Sequence, residues 1–122
     1  MDATVKQNMI NAGYDVDGAL ARFVNNETLY LMFMKKFPND ENYAKIEGEL
    51  QAEDFDSAYA SVHAFKGVAG NLGITDVFEN SVRLLDLLKK RDTEVDVKAK
   101  ALEIYADMKI TYEKACGLIG EL

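Results

Sequence analysis

Apolar residues recur along this chain at helical spacing and nowhere alternate as a half-buried strand requires. The clearest stretch is Phe55 to Asn71. Its positions Ala58, Val62, Phe65, Ala69 and, just beyond, Leu72 are separated by four, three, four and three residues, which makes one buried seam. Other segments follow the same rule. Ala3 to Asn11 reads as a short helix stopped by Gly13, and Asp15 or Asp17 caps a second through Leu20, Phe23 and Val24. Asn25-Asn26 break the chain and cap Glu27 to Phe37, which is apolar over most of its circumference and ends at Pro38. Asn39-Asp40 start a helix through Tyr43, Ile46 and Leu50, and Glu53-Asp54 lead into the Phe55 segment. After Gly73, Thr75 or Asp76 is placed to cap a helix running to Lys90, with Glu79 three residues past Asp76 completing a capping box. That helix buries Val77 or Phe78, Val82, Leu85 and Leu88. A long last helix follows Asp92-Thr93, with Leu102, Tyr105, Met108, Tyr112, Ala115 and Ile119 on one stripe. The pattern predicts an all-α fold: an antiparallel four-helix bundle with one or two short helices at its N-terminal end, residues 1–122 forming a single domain.

Composition narrows the functions open to such a bundle. The chain has 122 residues, 48% hydrophobic and 29% charged, enough to build its own core. Its net charge of −7 repels phosphate backbones, and Lys89-Lys90-Arg91 is the longest basic run, so nucleic acid is not an expected partner. Cys116 stands alone, which fits a reducing compartment. Residues 1–25 lack a basic head followed by an apolar stretch, and no apolar run approaches the roughly 20 residues that span a bilayer. A cytoplasmic domain with no membrane association is the expectation. The single histidine, His63, excludes any metal site built on two histidines of this chain.

At roughly 100° per residue, His63 falls roughly 140° from the centre of the buried seam and Gly67 points almost directly away from it. Asp56 and Gly70 share that outward face, flanked by Tyr59 and Lys66. A lone surface histidine is ordinarily a solvated helix residue with no role. Here its surroundings argue otherwise. Two glycines inside one helix cost roughly 1 kcal/mol each against alanine, and bare backbone beside an imidazole leaves space for something to approach. Lys66, three residues on, places a cation where an anion on the ring would sit.

An imidazole titrates near pH 6.5, so at cellular pH a ring nitrogen has a free lone pair and can accept and release a phosphoryl group. No carboxylate cluster for Mg²⁺, Walker-type glycine loop or kinase lysine–aspartate set accompanies it. The face can carry a phosphoryl group but has no evident means of taking one from ATP.

The run His63-Ala64-Phe65-Lys66-Gly67-Val68-Ala69-Gly70-Asn71-Leu72-Gly73 resembles the H-x-[LF]-K-G-x-A-x-x-L-G signature of histidine-containing phosphotransfer (HPt) domains. Leu20, Arg22 and Phe23, then Tyr30 and Phe37, look like that family's first bundle helix and its approach, and Ser81 to Lys90 like the helix after the motif. Two departures stand out: Val24-Asn25-Asn26 where the family often has glycine, and Leu85-Asp86 where it often has Leu-Glu. The resemblance implies a monomeric phosphorelay intermediate of two-component signal transduction. His63 would accept a phosphoryl group through Nε2 from one receiver-domain aspartate and pass it to another. Lys66 would steady its charge, and Gly67 and Gly70 would give the receiver room. It also implies partners among response-regulator receivers and sensor or hybrid histidine kinases, Mg²⁺ supplied by the receiver, no cofactor held by this chain and no kinase activity of its own.

Other features have plainer readings. Leu29 to Phe37 is chiefly core, although it exceeds what a single buried stripe needs, and the HPt resemblance implies that one of its edges, which the pattern does not single out, docks a receiver helix. Cys116 reads as a small core residue, and the acidic groups Glu53-Asp54-Asp56 and Asp92/Glu94/Asp96 as helix-start charges, with Asp56 also placed to influence partner choice. Two rival functions remain. One is a phosphoacceptor domain of a chemotaxis-type kinase, phosphorylated directly by an ATP-binding domain. The other is a helical interaction module in which His63 is incidental. A chain running from Met1 to Leu122 favours the free-standing shuttle.

Overall fold

The computed structural model describes residues 1–122, and its regular structure is entirely helical. Three short helices come first: α1 (Ala3–Asn11), α2 (Val16–Arg22) and α3 (Glu27–Lys36). A 3₁₀ turn at Phe37–Asn39, entered at Pro38, leads into α4 (Glu41–Gln51), α5 (Phe55–Asn71), α6 (Thr75–Lys89) and α7 (Val97–Ile119), with a second 3₁₀ turn at Arg91–Thr93. Helix α5 packs along α4 and α6, α6 packs along α7, and α7 closes on α4. Short connections join neighbours, so the four form an antiparallel bundle. No helix is long and apolar enough to cross a membrane.

The helix starts follow side-chain chemistry. Asp2, Asp15, Asn26, Asp40 and Asp54 each accept a hydrogen bond from a backbone N–H of the first turn. Helix α6 departs from the expected capping box. Its N-cap is Ile74, one residue before Thr75, and makes no side-chain cap. Gly73 ends α5 so abruptly that Thr75 and Asp76 already lie inside α6. Thr75 Oγ1 donates back to the Gly73 carbonyl, and Asp76 pairs with Lys114 of α7 at 3.0 Å.

The stops share one geometry. Helices α1, α2, α4 and α5 all end in a left-handed residue: Gly13, Val24, Glu53 and Gly73. In each, that residue and the next donate to carbonyls of the last helical turn, for example Gly73 to Gly70 at 3.2 Å and Ile74 to Ala69 at 3.0 Å.

The core runs through all seven helices. On α5 the seam is buried as its spacing predicts, Ala58, Val62, Phe65 and Ala69 together with Leu72. Phe65 stacks on Phe37 at 5.4 Å and contacts Tyr43 and Tyr112, whose rings lie 3.7 Å apart. Tyr112 donates to the Phe37 carbonyl at 3.0 Å, and burial raises both the Tyr43 and Tyr112 phenols above their ordinary value. Two expectations shift. Three short helices precede the bundle rather than one or two, because α3 packs with α2 and the 3₁₀ turn and leaves α4 to open the bundle. On α6, Leu84 and Leu87 join Val77, Leu85 and Leu88 in the core, while Phe78 and Val82 are half-buried.

Val24 holds φ of 56° with its side chain 88% exposed, a conformation that crowds a β-branched residue and suits glycine. Val24→Gly is expected to raise unfolding stability by about 1 kcal/mol, since the left-handed cost of roughly 1–2 kcal/mol exceeds the chain entropy that glycine adds. Urea unfolding midpoints test it. A lower midpoint would mean that the valine makes contacts the exposed position hides.

Candidate functional site

His63 occupies the middle of α5, on the side opposite the buried seam, and its side chain is exposed. Along that side the environment is uneven. One turn toward the N-terminus, the half-buried Tyr59 ring lies beside the imidazole, with centroids 6.1 Å apart and planes inclined at 29°. One turn toward the C-terminus, a Cβ built on Gly67 would meet nothing within 4 Å. Lys66 is half-buried and makes no ion pair within the chain. Its ammonium is therefore uncommitted, on the residue three positions after the histidine.

Gly70 differs from its expected outward place. It is half-buried, and a Cβ there would sit 3.2 Å from the ring edge of Phe78 on α6. The turn at Gly73 folds α6 back so closely that Phe78 covers this end of α5. Gly70 thus serves helix packing, and Gly67 alone leaves open space beside His63. Asp56 is exposed but engaged: Arg91 bonds it across to the end of α6 while also donating to the Leu88 carbonyl at 3.0 Å. Asp56 fastens α5 to the turn after α6.

Arg22 has a part that the sequence pattern does not show. Its guanidinium donates to the Gly70 carbonyl at 2.8 Å and the Asn71 carbonyl at 3.2 Å. Both carbonyls belong to the last turn of α5, where helical donors run out and a cation also suits the helix dipole. The adjacent contact is backbone to backbone, Asp15 N–H to the Gly73 carbonyl at 2.9 Å. Both hold α2 against the C-terminal end of α5.

That docking forms a groove of about 390 Å³, lined chiefly by Phe23, Phe33, Phe37, Val68 and Leu72, with Lys36 and Asn71 at its polar edge. Phe33 is 43% exposed and Lys36 lies over its ring at 5.3 Å, while Tyr30, Met34 and Phe37 turn inward. The free edge of the apolar segment carries Met32 and Phe33, and of these Phe33 lines the groove. Asn71 stands two turns from His63, beyond Gly67, so the groove opens on the C-terminal part of the histidine face. No three His, Cys, Asp or Glu side chains converge where they could hold a metal ion. Cys116 is half-buried beside Tyr112, and burial pushes its thiol up, the wrong direction for a nucleophile.

A family model described as the Hpt domain matches residues 38–116, from Pro38 through α4, α5 and α6 to Cys116 near the end of α7. No curated protein and no solved structure matches the chain.

The two motif glycines are expected to separate on substitution. Gly67→Ala projects into open space and raises stability by up to about 1 kcal/mol, the helix preference of alanine. Gly70→Ala forces the Phe78 ring to move and gains less, or loses. Paired chemical denaturation distinguishes them, and equal gains at both positions would contradict the packing role of Gly70.

Proposed function

The chain belongs to the Hpt domain family, whose members carry out histidine phosphotransfer in two-component systems, and we propose that it is a phosphorelay intermediate with His63 as the phosphoacceptor. The observation that carries this reading is the exposed imidazole at the middle of α5, beside open backbone at Gly67 and an unpaired Lys66. Hpt domains are phosphotransfer modules rather than kinases, and they work with receiver domains and histidine kinases.

The chemistry follows from these groups. The lone pair of His63 Nε2 attacks the phosphorus of a receiver's aspartyl phosphate, with Nδ1 keeping the ring proton. A P–N bond forms as the P–O bond to the aspartate breaks, and the carboxylate leaves with the electron pair. Lys66, one turn along at i+3 and free of any ion pair within the chain, offsets charge on the phosphoryl oxygens. Delivery to a second receiver is the same step reversed, with that receiver's aspartate as nucleophile. Mg²⁺ enters with the receiver. Gly67 admits the receiver's backbone close to the imidazole, and the Phe23–Phe33–Val68 groove takes an apolar helix of the same partner. The chain acts in the cytoplasm as a monomer, and Asp56, held by Arg91, lies at the far margin of the contact.

The decisive experiment is phosphoryl uptake from a Mg²⁺-loaded, phosphorylated receiver by wild type and His63→Gln. Acid-labile label on the wild type alone is the expected result. Label on His63→Gln would move the site elsewhere, and label obtained only from an ATP-binding kinase domain would make the chain a kinase substrate. Lys66→Ala is expected to slow transfer or shorten the phosphohistidine lifetime about tenfold, the scale of one charge-assisted hydrogen bond. No change in either would remove Lys66 from this role.

Phe33→Asp is expected to raise the half-saturating receiver concentration about tenfold or more, as loss of an interface anchor does. The rate at saturating receiver should stay near wild type. An unchanged half-saturation would exclude the groove as the docking surface.

A further inference from the structure

Resting on the phosphoacceptor reading of His63, we propose that Tyr59 is a positioning residue, whose ring sets the direction in which the imidazole faces. The two rings form an offset pair with centroids 6.1 Å apart, inclined at 29°. The pair is asymmetric. Tyr59 is half-buried and packs against the hydrophobic core, whereas His63 is exposed. One ring is anchored and the other would otherwise be free.

Helix geometry explains why the anchor acts on the histidine. Side chains on a helix lean toward its N-terminus, and two χ1 wells are open to them. The His63 ring is thus tipped over the turn that carries Tyr59. The phenol ring backs the imidazole on that side. On the other, Gly67 places no side chain within reach. The outcome is a ring with a wall behind it and clear space ahead.

Direction matters for this reaction. In-line transfer requires the ring nitrogen to lie on the axis of the breaking P–O bond, and a side chain exchanging between wells meets that requirement for only part of its time. Backing by Tyr59 removes that loss before the partner arrives. The role needs the flat apolar face and not the hydroxyl. Phenylalanine should therefore replace tyrosine, while leucine should not, although leucine still covers the core.

The test compares wild type, Tyr59→Phe and Tyr59→Leu, each first checked for folding by its thermal melt. NMR couplings report the His63 χ1 populations, and transfer from a phosphorylated receiver gives the saturating rate and half-saturation. Wild type and Tyr59→Phe are expected to show one dominant χ1 well and rates within about twofold of each other. In Tyr59→Leu, χ1 should average between wells and the saturating rate fall about fivefold, with half-saturation little changed. A single χ1 well in Tyr59→Leu overturns the proposal, as does an unchanged rate, or a Tyr59→Phe as slow as Tyr59→Leu. Should wild type accept phosphoryl from no receiver, the phosphoacceptor reading fails, and the χ1 comparison still decides whether Tyr59 holds the ring.

Discussion

The roll of α5 about its own axis decides whether His63 meets solvent, and the Phe65 side chain fixes that roll. Phe65 is wholly buried two residues after the histidine and packs on Phe37 of the 3₁₀ turn, Tyr43 of α4 and Tyr112 of α7. These partners come from three parts of the chain, and the Tyr112 hydroxyl locks the set by donating to the Phe37 carbonyl. Neighbouring helix positions differ by roughly 100°, so a roll of one position in one direction would turn His63 toward the bundle, and in either direction would carry Phe65 out of the core. Replacing so large a buried ring by alanine costs about 3–5 kcal/mol in typical cores, which measures how firmly such a contact holds its helix. The exposed chemistry of α5 is thus set from its buried side.

A second constraint acts at the end of α5. Gly73 adopts φ of 72°, and a Cβ there would run into the Asp15 carbonyl, so the glycine both reverses the chain and admits α2. Arg22 then caps the helix it has reached. The consequence lies at the next residue: Phe23 packs on Tyr30 and Phe33, and these aromatics wall the groove beside Val68. The N-terminal helices add Met9, Val16, Ala19, Tyr30 and Met34 to the common core. They also contribute an apolar surface on the histidine side of α5.

Local features of the fold were legible because they depend on residues close in sequence. The limits of α5 follow from Asp54, the seam and Gly73, and the same reasoning places α1 and the start of α3. The exposure of His63 and Gly67 also follows, since rotation about a single helix axis needs only the seam as its reference. What failed to follow depends on how two helices meet. Gly70 has the outward projection of its neighbours, yet Phe78 covers it, and only the abruptness of the Gly73 turn brings α6 that near. Asp56 is committed to Arg91, 35 positions away, and Arg22 reaches carbonyls 48 and 49 positions away. No spacing rule connects such residues. The missing capping box on α6 has the same origin, because the turn starts the helix already at Thr75 and Asp76 reaches across to Lys114 of α7.

Three glycines within one motif therefore answer to three different forces. Gly73 is required by backbone conformation, Gly70 by the aromatic ring packed against it, and Gly67 by nothing inside the molecule. Alanine at Gly67 would meet open space and would favour the helix, so folding alone gives no reason for glycine there. Native chains carry such departures from local preference chiefly where a site needs them. The position without an internal reason lies one turn from the exposed histidine and next to an uncommitted lysine. On the proposed function a partner supplies that reason, its backbone approaching the imidazole more closely than a methyl group would allow.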